Sequence, residues 1–362
     1  MKFLAALTLL YASLDATLAL PQSSAPSQCT TPRVRKEWSK ATASERSSYI
    51  NAVKCLTTKP SKIGKDHRLF DDFVWVHATV FQQGNWPPTS PLQPLNHFFT
   101  NSQSALVHSV AAFLPWHRYF IALYEASLAT CGYSGPAMYW DWVASSSAPS
   151  KAAVFSPTTG FGGNGDQTST EWGTNCVLDG PFKTLQLHYW NEEVRPHCLL
   201  RIFEPGYPEY NITEMLGDNY SPAVMAQVNA ETSYQGFAHY LEDGPHAAVH
   251  SGVGNLAGDM GPQSSSPNGK WPSCRTQAMP TCVTDIFVSI DPLFFLHHTQ
   301  VDRLWYLWQQ QSPSTRTFDY GGYRSDGSSA TLDDYLPMLG LGPDRKVREF
   351  MDVNAANLCY KY

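Results

Sequence analysis

Apolar residues recur at helical spacing along several stretches of the chain, and segments rich in proline, glycine and serine lie between them. The spacing predicts helices over residues 34–56, 66–83, 108–129 and 291–311, and one that begins at Gly244-Pro245. Asp291 and Pro292 are typical of an N-cap and a first helical turn. These patterns predict a mainly α fold: a four-helix bundle core with long irregular loops and few short strands.

The connections between these helices are long. Residues 84–104, 150–235 and 251–285 show little periodicity and many glycine, serine, threonine, asparagine or proline residues. No repeat of fixed period occurs, and 362 residues are enough for one large domain. We therefore expect residues 20–362 to form a single domain.

The first 19 residues are typical of a signal peptide. One lysine precedes a short apolar run, and the small residues Thr17-Leu18-Ala19 follow at the usual cleavage spacing. Asp15 interrupts the run, which is also too short to span a bilayer. The sequence therefore predicts cleavage near Ala19, secretion to the extracellular space and no membrane association.

Composition excludes several classes of protein. Aromatic residues make up 13% of the chain and charged residues 15%, which disfavours disorder and coiled coils. The net charge of -6 provides no basic surface, so we expect no nucleic-acid partner.

The cysteine content agrees with an oxidising compartment. Eight cysteines follow the predicted cleavage point, and an even set in a secreted chain predicts disulfides. The sequence favours a Cys274–Cys282 pair because the two lie close together in a proline-rich loop. Asn211 begins a plausible glycosylation sequon, and Asn219 begins a weaker one because Pro222 follows it.

Histidines on or beside the helices form two groups that could bind metal. His246 and His250 are four residues apart, so they share one helical face, and the doublet His297-His298 opens the last helix. The second group consists of His77 from one predicted helix and of His108 and His117 from the next.

The ligand chemistry of these groups points to one metal. Imidazole nitrogen without carboxylate or thiolate suits zinc or copper, and it is a poor match for iron, magnesium or calcium. Two nitrogen-only sites in one helical core predict a binuclear copper centre. A zinc hydrolase is disfavoured because Ala247 stands where a zincin carries its general-base glutamate.

Five motifs follow one another along the chain: "FDDFVWVH", "HSVAAFLPWHRYFIALYE", "YWDW", "EDGPHAAVH" and "DPLFFLHHTQVD". In sequence and order they resemble those of type 3 copper proteins, in particular a fungal catechol oxidase or tyrosinase (polyphenol oxidase) without a C-terminal lid domain. The resemblance covers about residues 33–362 and implies a tyrosinase-like catalytic domain. It further implies that an arginine near the start, Arg33 or Arg35, packs against Tyr360 and Tyr362.

The resemblance implies a ligand set of six histidines for two copper ions, with dioxygen as co-substrate. Copper A would be bound by His77, His108 and His117, and copper B by His246, His250 and His298. His97 is an alternative to His77 because it also precedes His108. His297 is expected to point elsewhere, since neighbours on a helix do not share a face.

Other residues are expected to pack around these ligands. Phe113 and Phe294 match positions where the family places rings against ligand imidazoles. Asp302, four residues after His298, could orient a ligand imidazole through its carboxylate.

The family also suggests the substrate class, small phenols. Glu242 matches a glutamate of the family that holds a water able to deprotonate a phenol. At the position of Ala247, tyrosinases commonly have asparagine. Because alanine cannot polarise that water, we expect oxidation of ortho-diphenols to ortho-quinones with weak or no monophenol hydroxylation. The alternatives are a tyrosinase with full monophenolase activity and a haemocyanin-like dioxygen carrier.

Overall fold

The computed structural model describes residues 29–82, 106–168, 173–190, 193–210, 212–255, 257–261 and 291–362. The fold is mainly helical, as the sequence predicts. Its α-helices are α1 Ala43–Leu56, α2 Leu69–Gln82, α3 Phe113–Ala129, α4 Pro222–Asn229, α5 Tyr234–Leu241, α6 Ala247–Gly254, α7 Phe294–Gln310 and α8 Pro313–Arg316. None of the helices in these ranges is both long and apolar enough for a membrane span.

Three two-stranded sheets lie around the helices. Their strands are β1 Arg33–Val34, β2 Gln186–Trp190, β3 Glu193–Cys198, β4 Tyr335–Leu336, β5 Arg345–Lys346 and β6 Tyr360–Lys361. The pairs β2–β3 and β4–β5 are antiparallel. β1 pairs in parallel with β6, so the segment near residue 33 lies beside the segment near residue 360.

The first predicted helix is shorter than its sequence pattern. Within residues 34–56 the α-helix begins only at Ala43 because Thr42 caps it: the Thr42 side chain accepts from the Glu45 amide, and the Glu45 carboxylate accepts from the Thr42 amide. This reciprocal capping box satisfies two donors that a helix start leaves open.

The third and last predicted helices also start late. α3 begins at Phe113 rather than at residue 108, so His108 lies in the loop before it. α7 begins at Phe294, and Asp291 accepts from the Leu293 amide at 2.8 Å just before it. Both Asp291 oxygens also accept from the buried Arg201 guanidinium.

The segment around Gly244-Pro245 is helical throughout, but one turn is wider. Residues Glu242–His246 form a π-helical turn between α5 and α6, and Pro245 lies inside it. Proline lacks the amide that an α-helix would use, so a wider turn is a natural accommodation. The turn leads directly into the helix that carries His250.

Three disulfides connect distant parts of the described chain: Cys29–Cys359, Cys55–Cys131 and Cys176–Cys198. Disulfides are confirmed as a feature of this protein, as its cysteine content predicts. The favoured Cys274–Cys282 pair lies outside the described residues, as does the Asn211 sequon.

A buried network of ion pairs and hydrogen bonds connects Arg35 with Tyr360 and Tyr362. The Arg35 guanidinium lies 3.5 Å from the Tyr360 ring centre, and Arg35 Nη1 donates to Asp302 at 2.9 Å. Arg118 from α3 and the hydroxyls of Tyr360 and Tyr362 also donate to Asp302. Burial alone would raise the pKa of Asp302, but the two guanidiniums and these hydroxyls lower it.

Asp302 is therefore not a partner of a ligand imidazole, and that expectation is wrong. The carboxylate compensates two buried guanidiniums, and each of these would be costly to leave unpaired. Of the two arginines considered from the sequence, Arg35 is the one that stacks on Tyr360.

We predict that Tyr360→Phe lowers the free energy of unfolding by about 1–3 kcal/mol, because Asp302 loses one hydrogen bond while the ring over Arg35 remains. The measurement is denaturant unfolding of the purified protein. Tyr335→Phe is the matched control, since Tyr335 is 63% exposed. Equal stability of the two variants would contradict the role given to this network.

Candidate metal centre

Seven buried histidines form two clusters, in each of which the ring nitrogens lie within 4.8 Å of one another. The first contains His77 from α2, His108 from the loop before α3, and His117 from α3. The second contains His246 and His250, from the π-turn and α6, and the doublet His297-His298 from α7. All six ligands expected from the sequence are brought together, and a seventh histidine joins them.

The two clusters are adjacent. The rings of His117 and His298, one from each cluster, stack with centroids 4.2 Å apart and planes 11° apart. The rings of His108 and His246 are 5.9 Å apart on another side. Two ions bound in the clusters would therefore be close neighbours.

The nitrogens within each cluster are spaced as a metal site requires. Nε2 of His77 lies 3.2 Å from Nε2 of His108 and 3.3 Å from Nε2 of His117. In the second cluster, Nε2 of His250 and His298 are 3.4 Å apart. Imidazole nitrogen binds zinc at about 2.0–2.1 Å, so tetrahedral ligands of such an ion lie about 3.3–3.4 Å apart.

The opposite ring nitrogen is anchored in four of these histidines. Nδ1 of His117 lies 2.7 Å from the Phe113 carbonyl, and Nδ1 of His250 lies 2.8 Å from the Met260 carbonyl. Nδ1 of His246 contacts the backbone carbonyl of Glu242 in the same way, and Nδ1 of His108 contacts the Glu242 carboxylate. A donor at Nδ1 leaves a lone pair at Nε2, which faces the cluster centre. Facing lone pairs repel unless a cation lies between them.

Burial keeps these imidazoles neutral. It lowers the pKa of all seven, to about 3 for His117 and about 4 for His250. Neighbouring histidines lower most of these pKa values further, while the carbonyls of Phe113 and Met260 raise those of His117 and His250. Neutral imidazole is the form that binds metal, so the protein holds both clusters ready for an ion at neutral pH.

Phenylalanine rings enclose the clusters, as expected from the sequence. Phe294 lies 4.9 Å from the His77 ring and 4.2 Å from the His298 ring. Phe113 lies 5.0 Å from both His117 and His246. These contacts restrict the ligand rings and keep bulk water away from them.

Glu242 contacts one histidine of each cluster. The sequence analysis named this residue but missed its contact with the first cluster. Its Oε1 lies 2.9 Å from Nδ1 of His108 and accepts from the Ser109 amide at 2.9 Å, while its carbonyl accepts from Nδ1 of His246 at 3.0 Å. Ser109, the residue after His108, has a φ of 56°, which lies in the left-handed region. The one available signal was the position of Glu242, four residues before His246.

The other histidines differ in their position relative to the clusters. His297 does not point away: its ring is 4.6 Å from His250 and 4.9 Å from His298. Consecutive helical residues differ by about 100° in direction, so both members of the doublet can border one buried space. His97, the alternative to His77, lies outside the described residues. His67 and His197 pair with Asp72 and Asp259 away from the clusters.

Two adjacent, neutral, all-imidazole clusters in a helical bundle fit the class of binuclear copper proteins. A family model described as the common central domain of tyrosinase matches residues 67–311. Tyrosinase-like protein phomQ1 of Diaporthe leptostromiformis is 35% identical over 93% of this chain and 79% of its own length. Tyrosinase ustQ of Aspergillus flavus is 33% identical over 92% of this chain and 80% of its own length.

A solved structure agrees in fold. A point mutant of polyphenol oxidase from Thermothelomyces thermophila superposes with a TM-score of 0.68, at 24% identity, over 92% of this chain and 90% of that chain. The chain belongs to the tyrosinase family of type 3 copper proteins, and it is a copper oxidoreductase.

The Glu242 contacts generate a prediction about copper binding. Glu242→Leu should weaken copper binding at the first cluster about 10–100-fold, the usual effect of losing a group that orients a metal ligand. Glu242→Gln should retain most of the affinity, because an amide oxygen can still accept from His108 and Ser109. Chelator competition followed by metal analysis measures both.

Asp243→Asn is the control for this comparison, because Asp243 is adjacent and exposed and pairs with His239. Its copper affinity should match that of the unchanged chain. Equal affinities of the Leu and Gln variants would show that the hydrogen bond to His108 does not position this ligand.

Proposed function

We propose that the protein is a secreted polyphenol oxidase that oxidises ortho-diphenols to ortho-quinones and reduces dioxygen to water. Two diphenols each give up two electrons and two protons, and one dioxygen takes up all four of each to form two waters. The observation that carries this proposal is the pair of adjacent, neutral histidine clusters. Copper bound there would supply the electron transfer between phenol and dioxygen.

In this proposal six histidines hold the two coppers. His77, His108 and His117 hold one ion, and His246, His250 and His298 hold the other. The close Nε2 spacings and the anchored Nδ1 atoms support these two sets. The phenylalanine rings of Phe113 and Phe294 would limit water at the reacting centre.

Proton handling decides the substrate class. A monophenol must lose its proton before hydroxylation, and Glu242 is the carboxylate proposed to hold the water that receives it. Burial raises the pKa of Glu242, which strengthens it as a base, while its contact with Ser109 lowers the pKa in part. Ala247 begins α6 directly after His246 and is buried, yet its methyl group cannot polarise that water. We therefore assign weak or no monophenol hydroxylation.

A tyrosinase with full monophenolase activity is the second candidate. The raised pKa of Glu242 favours it, as does the name of one relative, tyrosinase ustQ. A haemocyanin-like carrier would bind dioxygen without forming quinone.

Secretion and domain organisation belong to the same proposal. Three disulfides favour an oxidising compartment, in agreement with a signal peptide over residues 1–19 and a single domain over 20–362.

The proposal is tested by supplying a catechol and the matching monophenol to the copper-loaded protein. Oxygen uptake and quinone absorbance should rise together with the catechol, at two quinones per dioxygen, and should be slow with the monophenol. Oxygen binding without quinone would identify a carrier. Comparable rates on both phenols would identify a tyrosinase.

Ala247→Asn should raise the ratio of monophenol to diphenol turnover about tenfold, equivalent to about 1.4 kcal/mol on the barrier. Asparagine would provide a second polar group for the water at Glu242 without replacing a ligand. Ala248→Ser is the control, since it adds a polar group at the next position of the same helix. A ratio unchanged by Ala247→Asn would show that this position does not govern specificity.

A further inference from the structure

Two of the six proposed ligands lack the anchor at Nδ1 that the other four have. Nδ1 of His77 and Nδ1 of His298 are buried, and neither has a hydrogen-bond partner within the part of the chain that the structure describes. Because Nε2 of His77 faces the other members of the first cluster, the hydrogen of this neutral ring is on Nδ1. A buried N–H without an acceptor is costly, so the His77 ring requires a physical explanation.

A small cavity borders the His77 ring. It has a volume of about 10 Å³, and its other lining residues are Asp291, Val74 and five phenylalanines. A cavity that holds one water needs a volume of about 10–15 Å³ and two or more polar partners. This cavity is therefore just large enough for a single water, and His77 and Asp291 are the polar residues that border it.

Asp291 can accept one more hydrogen bond. The two oxygens of a carboxylate provide about four acceptor positions. Three of them are used among the described residues: Oδ2 accepts from Arg201 Nε at 2.6 Å, and Oδ1 accepts from Arg201 Nη2 and from the Leu293 amide. Oδ2 therefore retains a position for a water.

We propose that one water occupies this cavity, accepts from Nδ1–H of His77 and donates to the Asp291 carboxylate. The water gives His77 the anchor that carbonyls and the Glu242 carboxylate give to four other rings. It fixes the ring orientation in which Nε2 faces His108 and His117. Asp291 is thereby a positioning residue for the first copper site, and the part of the inference that concerns copper rests on the proposed function.

The water also connects the two clusters. Asp291 lies just before α7, which carries His298 of the second cluster. The Asp291 carboxylate is itself held by the fully buried Arg201, so the acceptor for the water has a fixed position. A displacement at the start of α7 therefore reaches His77 on α2 through two hydrogen bonds.

The water itself is tested by a crystal structure of the metal-free protein at a resolution that shows ordered solvent. One water is expected in the cavity, within about 2.7–3.2 Å of Nδ1 of His77 and of Oδ2 of Asp291. An empty cavity, or a direct contact between His77 and Asp291, would overturn the inference. Neither outcome depends on copper.

Val74→Ile tests what the water does for copper binding, because the added methyl group fills the cavity while both hydrogen-bonding residues stay in place. Substitution of Asp291 is avoided, since it would leave the buried Arg201 without its counter-ion. Loss of the water should weaken copper binding at the first cluster about tenfold, the usual effect of removing a partner of a metal ligand. Chelator competition measures this affinity in a chain whose second cluster is removed by His246→Ala and His250→Ala.

Val76→Ile is the matched control, since it adds the same methyl group at a buried position of α2 that does not border the cavity. It should leave the copper affinity of the first cluster unchanged. An equal loss in both variants would overturn the inference, as would full affinity in a Val74→Ile protein whose crystal structure lacks the water. Failure of the first cluster to bind copper in the unchanged chain would instead overturn the proposed copper site, while the metal-free structure would still decide whether the water is present.

Discussion

The structure depends on one unfavourable arrangement: seven neutral imidazoles gathered in a single buried space, several with lone pairs facing one another. Nothing in the hydrophobic effect favours such a group, because each ring gives up its hydrogen bonds to water. The surrounding elements compensate by fixing Nδ1 of four rings to carbonyl or carboxylate acceptors. A metal ion then supplies the attraction that the protein alone lacks.

Two of the helices that carry these ligands, α3 and α7, are also linked to each other by an ion pair. Arg118 directly follows His117 on α3, and Asp302 lies one turn beyond His298 on α7. Their ion pair links the two helices, and Arg35 and Tyr360 join it from the two ends of the described chain. The position of one ligand from each cluster is therefore coupled to a fully buried ionic network. The π-turn has a comparable role, since Glu242 within it anchors His108 and His246.

Much of this could be predicted from the sequence because helical periodicity and histidine spacing are local patterns. α2, α3 and α7 lie within their predicted stretches, and all six expected ligands meet in the clusters. Contacts between distant segments could not be predicted in this way. Asp302 lies at helical spacing from His298 but pairs with arginines, because two buried guanidiniums require a counter-ion more than an imidazole does. The direction of His297 could not be predicted either, because both members of the doublet border the buried second cluster although they differ in direction on α7.

The most direct test of this account is a crystal structure of the copper-loaded protein with anomalous diffraction recorded on both sides of the copper edge. The account predicts two copper peaks, one in each histidine cluster, close enough to form a single binuclear centre. A single peak, or peaks bound by groups outside these seven histidines, would contradict it.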